Sequence, residues 1–289
     1  MKDQASRLRE IASLNKDGNK SNISSIKVLA VVSGKGGVGK TNISLNLAIA
    51  LAKRDKKVLV FDADLGMANI DILMGIVPKY TLYDALKGTV SLQDIVAEGP
   101  LGIKIIPGGS GVGELTQIDF QQREYIWDQL RKYFIGLDYV LIDCGAGINR
   151  SIVGFMVAAD EVVVVLTPEP TSITDAYSVI KILSKFQINS EVFLIVNRVN
   201  NLEEAQSTAR KIETVSQRFL NIKIKRLGFI SNDEVIERAV RKQVPFTVLY
   251  PNSKASMDME QLAENLIEGK MRPPKGVDSF MGRLLKLFG

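Results

Sequence analysis

SGKGGVGKT at residues 33–41 decides the fold of this chain. The stretch directly follows the apolar run KVLAVV and precedes the helical pattern NISLNLAIALAKR, which is the strand–loop–helix context of a phosphate-binding loop. Its glycines let backbone N–H groups converge on phosphate oxygens without interference from Cβ atoms, while the helix presents the positive end of its dipole. We expect Lys40 to lie against the β- and γ-phosphates of a nucleotide and Thr41 to give its hydroxyl to Mg²⁺. The residues predicted to hold the nucleotide here are Gly34, Lys35, Gly36, Gly37, Val38, Gly39, Lys40, Thr41 and Asn42.

Apolar runs alternate with amphipathic stretches along most of the chain. Runs that are apolar on both faces are typical of buried parallel strands, and helical patterns between them indicate βαβ units. The sequence therefore predicts an α/β fold, a single doubly wound P-loop NTPase domain whose mainly parallel central sheet is flanked by helices. Besides 27–33, the strand candidates are 56–64, 102–108, 138–144, 161–168, 191–198 and 224–230. The main helix candidates are 42–54, 119–135, 171–187, 202–219 and 233–242.

Composition excludes several kinds of chemistry. The chain has no histidine, which excludes Ser-His and Cys-His catalysis, histidine metal sites and switching by imidazole titration. The single Cys144 cannot form an internal disulfide, and we interpret it as a packing residue in a reducing compartment. No apolar run reaches the roughly 20 residues that span a bilayer, and the polar N-terminus lacks the apolar stretch of a secretory signal. We therefore expect a cytoplasmic protein whose chemistry depends on Lys, Asp, Thr and the backbone.

Carboxylates follow two of the predicted strands. VLVFDAD ends in Asp62 and Asp64, and YVLID ends in Asp143. At the carboxyl ends of their strands these side chains can approach the phosphates held by the loop. Asp143 opens the Walker B-like sequence DCGAG, in which Gly145 and Gly147 allow a switch to move, and we expect it on the metal side of the site. The alternative for Asp64 is a turn-forming residue.

Lys35, the first lysine of the loop, carries a resemblance to a known family. KGGVGKT at 35–41 resembles the KGGxGKT signature of the deviant Walker A ATPases, which include MinD and ParA. In that family the early lysine reaches across a dimer interface to the partner's nucleotide. The resemblance implies a homodimer that forms with ATP and in which Lys35 acts in trans; the alternative is a solvated loop lysine. Asn42 departs from the threonine usual in MinD, which leaves the expected contacts of Lys40 and Thr41 intact.

The same resemblance implies roles for polar residues at the strand ends. In the family, the first aspartate of the segment that matches Asp62 and Asp64 supports Mg²⁺ through water, and the second orients or activates the attacking water. Asn197 and Arg198 match the position that contacts adenine, the alternative being an ordinary strand-to-loop turn. Hydrolysis is expected to be slow without a partner. The implied metal site consists of Thr41, Asp62 and Asp143. The implied catalytic residues are Lys35, Lys40 and Asp64.

Two polar segments with helix-breaking residues separate the ends of the chain from its body, KDGNKSN at 16–22 and RPPKG at 272–276. The net charge is +5, of which residues 1–22 carry +2 and residues 271–289 carry +3, so the body is neutral by count. A neutral body argues against wrapping of nucleic acid. The predicted divisions are an N-terminal element and linker at 1–22, a MinD-like ATPase domain at 23–270, and a hinge with a C-terminal helix at 271–289.

The C-terminal stretch VDSFMGRLLKLFG is amphipathic. On a helical wheel its apolar side chains share one arc, while Ser279, Gly282, Arg283 and Lys286 fall opposite. An apolar face with basic side chains suits an anionic membrane surface, and the stretch resembles the membrane-targeting sequence of MinD-type proteins. The alternative is a helix docked permanently on its own core. The residues expected to face a membrane are Phe280, Met281, Leu284, Leu285, Leu287 and Phe288.

The N-terminal string DQASRLR resembles the DQAxxLR element of the FlhG family of flagellar-number regulators, also called YlxH or FleN. Relatives use that element to stimulate the GTPase of FlhF, so the resemblance implies an FlhF-like GTPase and flagellar basal-body (C-ring) proteins as partners. The alternative for the string alone is a frayed amphipathic turn. The matching residues, expected to bind the partner, are Asp3, Gln4, Ala5, Leu8 and Arg9.

Three other functions within the superfamily compete with a flagellar regulator. A division-site regulator of MinD type shares the body and the C-terminal helix but lacks the N-terminal extension. A DNA-partitioning protein of ParA type is opposed by the neutral body and the lipophilic tail. An iron–sulfur carrier would be short of ligands, since Cys144 is the only cysteine.

Overall fold

The phosphate loop lies between the first strand, β1 (Lys27–Ser33), and the helix that follows, α1 (Lys40–Ala52). The structure is a computed structural model, and it describes residues 26–64, 69–108, 129–186, 191–269, 274, 276, 278–280, 282 and 283, without the side chains of Tyr83 and Leu86. Predictions that concern the N-terminal element, and those for Met281, Leu284, Leu285, Leu287 and Phe288, lie outside the described residues.

In the described part of the chain, eight strands form one sheet in the order β3-β4-β2-β5-β1-β6-β7-β8. Every neighbouring pair is parallel except β3–β4. The predicted mainly parallel sheet is confirmed, and all seven strand candidates are strands. The short antiparallel edge strand β3 was not predicted, because two residues give no pattern. The remaining strands are β2 (Val58–Ala63), β3 (Ala97–Glu98), β4 (Lys104–Ile106), β5 (Tyr139–Ala146), β6 (Glu161–Leu166), β7 (Glu191–Val199) and β8 (Lys223–Ser231).

Helices cover both faces of the sheet, as a doubly wound fold requires. Successive side chains of a strand point to opposite faces, and β1 divides its side chains accordingly: Val28 and Val32 join one core cluster, Leu29 and Val31 the other. The further helices are α2 (Ile70–Met74), α3 (Leu82–Leu86), α4 (Leu92–Ile95), α5 (Arg150–Ala158), α6 (Pro170–Lys185), α7 (Leu202–Leu220), α8 (Glu234–Arg241), α9 (Phe246–Leu249) and α10 (Lys254–Glu268).

Two substantial helices were not singled out from the sequence. Eight of the nine residues of α5 are buried, so its sequence RSIVGFMVA lacks the polar stripe that marks a surface helix. In contrast, α10 has a clear stripe that packs on the sheet, formed by Met259, Leu262 and Leu266 among others. Its pattern was readable and was missed. Of the helix expected at 119–135, only 129–135 is described, and 129–134 is helical.

The described part of the C-terminal tail is packed against the body. Phe280, expected to face a membrane, is instead 2% exposed and lies with its ring centroid 6.1 Å from that of Phe134. Arg283, expected on the polar face, is 4% exposed, with Nη2 lying 3.9 Å from Asp160 Oδ1. The Asp278 carboxylate accepts a contact of 2.8 Å from Arg131 Nε. The wheel separated Phe280 from Arg283, yet both are buried, because Phe280 lies against Phe134 while Arg283 lies beside Asp160.

Over the described ranges, none of the helices has the length and apolar character needed to cross a membrane.

Candidate nucleotide-binding site

Three glycines of the phosphate loop are required for different physical reasons. A Cβ atom on Gly34 would lie 2.2 Å from the Asp175 backbone of α6, so the loop passes too close to that helix for any side chain. Gly37 and Gly39 have φ values of +77° and +89°, which L-residues with side chains rarely adopt. A Cβ atom on Gly37 would meet open space, so conformation alone requires glycine there. The loop therefore has the open, Cβ-free surface that a phosphate group needs.

Lys40 and Asp143 form a buried ion pair beneath the loop. Lys40 Nζ lies 3.1 Å from Asp143 Oδ1, and the two side chains are 7% and 1% exposed. The same oxygen accepts a hydrogen bond of 2.9 Å from Ser44 Oγ on α1. Ser44 was missed from the sequence, because nothing in the pattern NISLNLA distinguishes a functional hydroxyl from a small buried one. Together Lys40 and Ser44 fix the rotamer of the carboxylate at the end of β5.

The second oxygen of this carboxylate is the best indication of a metal site. Asp143 Oδ2 is buried and has no hydrogen-bond partner within the described residues, which is costly unless a ligand or a metal-bound water satisfies it. The described ranges contain no cluster of three His, Cys, Asp or Glu side chains able to hold a metal. Mg²⁺ usually keeps several waters and takes few protein ligands beside phosphate oxygens. Thr41, half-buried at the start of α1, and Asp143 are the residues that would hold it.

Asp62 lies on β2 directly beside Asp143, its register partner on β5. It is 1% exposed, and burial, followed by the charge of Asp143, raises its pKa to about 7. Backbone N–H groups oppose this rise: Asp64 donates at 3.1 Å, Asn69 at 3.2 Å and Ile70 at 3.4 Å. Asp62 thus holds the start of α2 as well as the edge of the candidate metal site. A nearby cation would favour its ionised form.

Asp64 lies at the end of β2, half-buried, next to the segment that follows Asp143. A Cβ atom on Gly145 would lie only 3.1 Å from Asp64 Oδ1, so glycine at this position leaves room for the carboxylate. Gly147 has a φ of +81° and donates its N–H to Ser33 O at 3.0 Å, which joins the glycine segment to the start of the phosphate loop. The structure therefore brings the two predicted switch segments together at the loop.

Lys35 is engaged within its own chain. Its Nζ donates to Glu169 Oε2 at 3.0 Å and to Thr171 Oγ1 at 3.3 Å, where α6 begins. The Lys35 and Glu169 side chains are 41% and 55% exposed, and this hydrogen bond lowers the pKa of Glu169. An ion pair so exposed contributes little to stability. Lys35 can therefore leave Glu169 at small cost, and neither Glu169 nor Thr171 was predicted from the sequence.

Asn197 and Arg198 line a cavity of about 690 Å³ next to Gly39 of the loop. Cavities of this size hold small-molecule ligands. The wall includes Asn42 of α1 and residues that follow β8, notably Asn232 and Asp233. The residues after β8 were not predicted as part of the site, although they follow the same pattern as those at the ends of β2 and β5. Polar residues directly after a parallel strand face the ligand edge of the sheet.

Cys144 is fully buried in the core, as predicted for a packing residue, and burial raises the pKa of its thiol. A neutral buried thiol is a poor nucleophile and a poor metal ligand.

Comparison with known proteins gives a consistent family. Residues 29–246 match the CobQ/CobB/MinD/ParA nucleotide binding domain. The chain is similar to antiactivator FleN of Pseudomonas aeruginosa, at 37% identity over 90% of this chain and 94% of FleN. It is also similar to flagellum site-determining protein YlxH of Helicobacter pylori, at 38% identity over the whole length of both chains. Among solved structures, septum site-determining protein MinD of Pyrococcus horikoshii, complexed with Mg-ADP, has a TM-score of 0.67 at 27% identity, covering 84% of this chain and 96% of that one.

The substitution Asp62→Asn tests the buried carboxyl group through the pH dependence of stability. Folding raises the pKa of Asp62 from 3.8 to about 7, so between these values the native protein binds a proton that the unfolded chain does not. The contribution of Asp62 to the free energy of unfolding is therefore full below about pH 4 and declines as pH rises to about 7, by up to about 4 kcal/mol. Asp62→Asn should remove this decline.

The measurement is urea unfolding of the nucleotide-free protein across this pH range. Asp55→Asn, which changes an exposed aspartate, is the matched control and should keep the decline. Equal pH dependence in the unmodified protein and Asp62→Asn would contradict a protonated Asp62.

Proposed function

The chain belongs to the CobQ/CobB/MinD/ParA nucleotide-binding family of ATPases, and from that premise we propose that it is an ATP-driven dimerising switch that regulates flagellar number and placement. The observation that carries the ATPase part is the buried Asp143 carboxylate, whose Oδ1 is held by Lys40 and Ser44 while Oδ2 has no partner among the described residues. The flagellar part is supported by similarity over the whole length of YlxH, a flagellum site-determining protein, and over 94% of FleN.

Hydrolysis in this site needs positioning more than covalent chemistry. Loop N–H groups clamp the phosphates, and Lys40 moves from Asp143 toward the β- and γ-phosphate oxygens. Asp64, beside Gly145, orients the water that attacks the γ-phosphorus in line. Thr41, Asp143 and Asp62 would hold Mg²⁺, which would supply positive charge to offset the charge of the phosphates. The base and ribose occupy the cavity beside Asn197.

The proposed dimerisation is supported by the exposure of the Lys35 side chain in the phosphate loop. In a single chain Lys35 is paired with Glu169, in an exposed contact that is easily exchanged. A second copy that brings a nucleotide phosphate to this surface offers Lys35 a stronger, charge-assisted partner. The exchange makes the dimer depend on ATP.

Lys35→Gln should leave the protein monomeric in MgATP while it still binds the nucleotide. The lost contact with Glu169 is exposed, so the affinity for ATP should change by less than about fivefold. Light scattering in MgATP measures the mass, and titration calorimetry measures the affinity. Lys181→Gln, an exposed lysine on α6, is the control and should dimerise normally. If Lys35→Gln formed a dimer in MgATP, a role for Lys35 in binding the nucleotide of the partner copy would be excluded.

Membrane binding through the C-terminal helix is the second part of the proposal. Its support is the amphipathic pattern of 277–289, whose apolar side chains extend beyond the docked Phe280. To lie on an anionic bilayer the helix must leave the body, which separates Phe280 from Phe134 and Arg283 from Asp160. Burial lowers the pKa of Arg283, and release would return its guanidinium to a polar environment beside lipid phosphates.

Removal of residues 284–289 should abolish sedimentation with anionic liposomes in MgATP. The cut follows Arg283 so that the buried contacts of Phe280 and Arg283 remain and the fold is kept. The midpoint of thermal unfolding, unchanged from the full chain, serves as the control for folding. Full sedimentation of the shortened chain would refute membrane binding by this helix.

The N-terminal element is proposed to stimulate an FlhF-like GTPase through the DQAxxLR match at 3–9. A chain without residues 1–22 should retain ATP hydrolysis but lose GTPase stimulation, to the level of the GTPase alone. The double substitution Leu8→Ala and Arg9→Ala should reproduce the loss. GTPase stimulation that survives both changes would remove the main support for the flagellar proposal and favour a division-site regulator.

A further inference from the structure

Asn197 connects the end of β7 to the phosphate loop. The side chain is 5% exposed, and its Nδ2 donates a buried hydrogen bond of 2.7 Å to the carbonyl oxygen of Val38. Its Oδ1 accepts a hydrogen bond of 2.9 Å from the backbone N–H of Arg198. The two ends of the carboxamide have partners of opposite type, so the orientation of the amide is determined by its contacts.

The Val38 carbonyl and the Gly39 N–H belong to one peptide group. Because this group is planar and trans, the two bonds point in opposite directions. A side chain that holds the carbonyl on the β7 side therefore turns the N–H to the opposite side. The Gly39 N–H has no hydrogen-bond partner within the described ranges, as expected of a donor kept for a phosphate oxygen.

The hydrogen bond between Asn197 and Val38 accounts for the backbone conformations of Gly39 and Arg198. A Cβ atom on Gly39 would lie 2.4 Å from Asn197 Nδ2, so the close approach needs glycine as well as the φ of +89°. Arg198 has a φ of +59°, and the register between β7 and β8 shifts between Asn197 and Val199. A non-glycine residue pays about 1 kcal/mol or more in this left-handed conformation. The strained turn brings the Arg198 N–H onto Oδ1 and so holds the carboxamide toward the loop.

We infer that Asn197 is a positioning residue of the phosphate loop, which fixes the Val38–Gly39 peptide so that the Gly39 N–H faces the phosphates. This role differs from the adenine contact that the family resemblance implied, because it acts on the phosphates and is independent of the base. The inference rests on the proposed binding of ATP at this loop.

Two variants and two ligands separate the roles. Asn197→Ala removes the donor to Val38, and the isosteric Asn197→Asp also places an acceptor against the carbonyl. The ligands are MgATP and magnesium tripolyphosphate, which has neither base nor ribose, each measured by displacement of a fluorescent ATP analogue. Asn200→Ala, an exposed amide three residues further on, is the control and should bind both ligands as the unmodified protein does.

If Asn197 positions the loop, Asn197→Ala should lower the affinities for both ligands by the same factor, about tenfold. Asn197→Asp should lower both affinities further. The ratio of the two affinities should stay constant. Weaker binding of MgATP with tripolyphosphate unchanged would overturn the inference in favour of a base contact, and unchanged binding of both would also overturn it. The midpoint of thermal unfolding of each nucleotide-free variant must match that of the control. A destabilised fold would lower the affinities for both ligands even if Asn197 did not position the loop. If the unmodified protein binds no MgATP, the proposed function itself fails.

Discussion

The buried ion pair between Lys40 and Asp143 is the contact on which the rest of the site depends. Removing both charges from water is costly, and a pair such as this is stable only with further hydrogen bonds, which Ser44 supplies on one oxygen. The other oxygen, Asp143 Oδ2, has no partner among the described residues and could serve Mg²⁺, while the charge of Lys40 could serve a phosphate. Asp62 lies beside this pair, and its pKa is raised first by its own burial and second by the charge of Asp143.

The tail docks at the opposite end of the same strands. Asp160, at the start of β6, accepts the Val28 N–H of β1 at 2.9 Å and lies against Arg283. Helix α5 joins the two ends of the sheet, because it follows the glycine segment after Asp143 and finishes just before Asp160. The phosphate loop and the described tail residues therefore lie at opposite ends of β1, and α5 runs between these two ends.

Much of this arrangement was predictable, because it follows from local patterns. Strands that are apolar on both faces, with a glycine loop between strand and helix, predicted the α/β fold. The position of Asp62, Asp64 and Asp143 at the carboxyl ends of strands predicted their place in the site. The rest depends on contacts between distant segments. Nothing beside Lys35 in sequence points to Glu169, which directly precedes α6, and a helical wheel cannot reveal that Arg283 is buried as well as Phe280. The missed helix α5 had no polar face to detect.

The mass of Asp64→Ala in solution, compared in MgATP and MgADP, tests the switch most directly. This variant should bind ATP without hydrolysing it, because the attacking water loses its carboxylate while Lys40, Thr41 and Asp143 remain. We expect a stable dimer in MgATP and a monomer in MgADP. A monomer in both nucleotides, with binding of ATP demonstrated, would contradict a switch in which ATP holds two copies together.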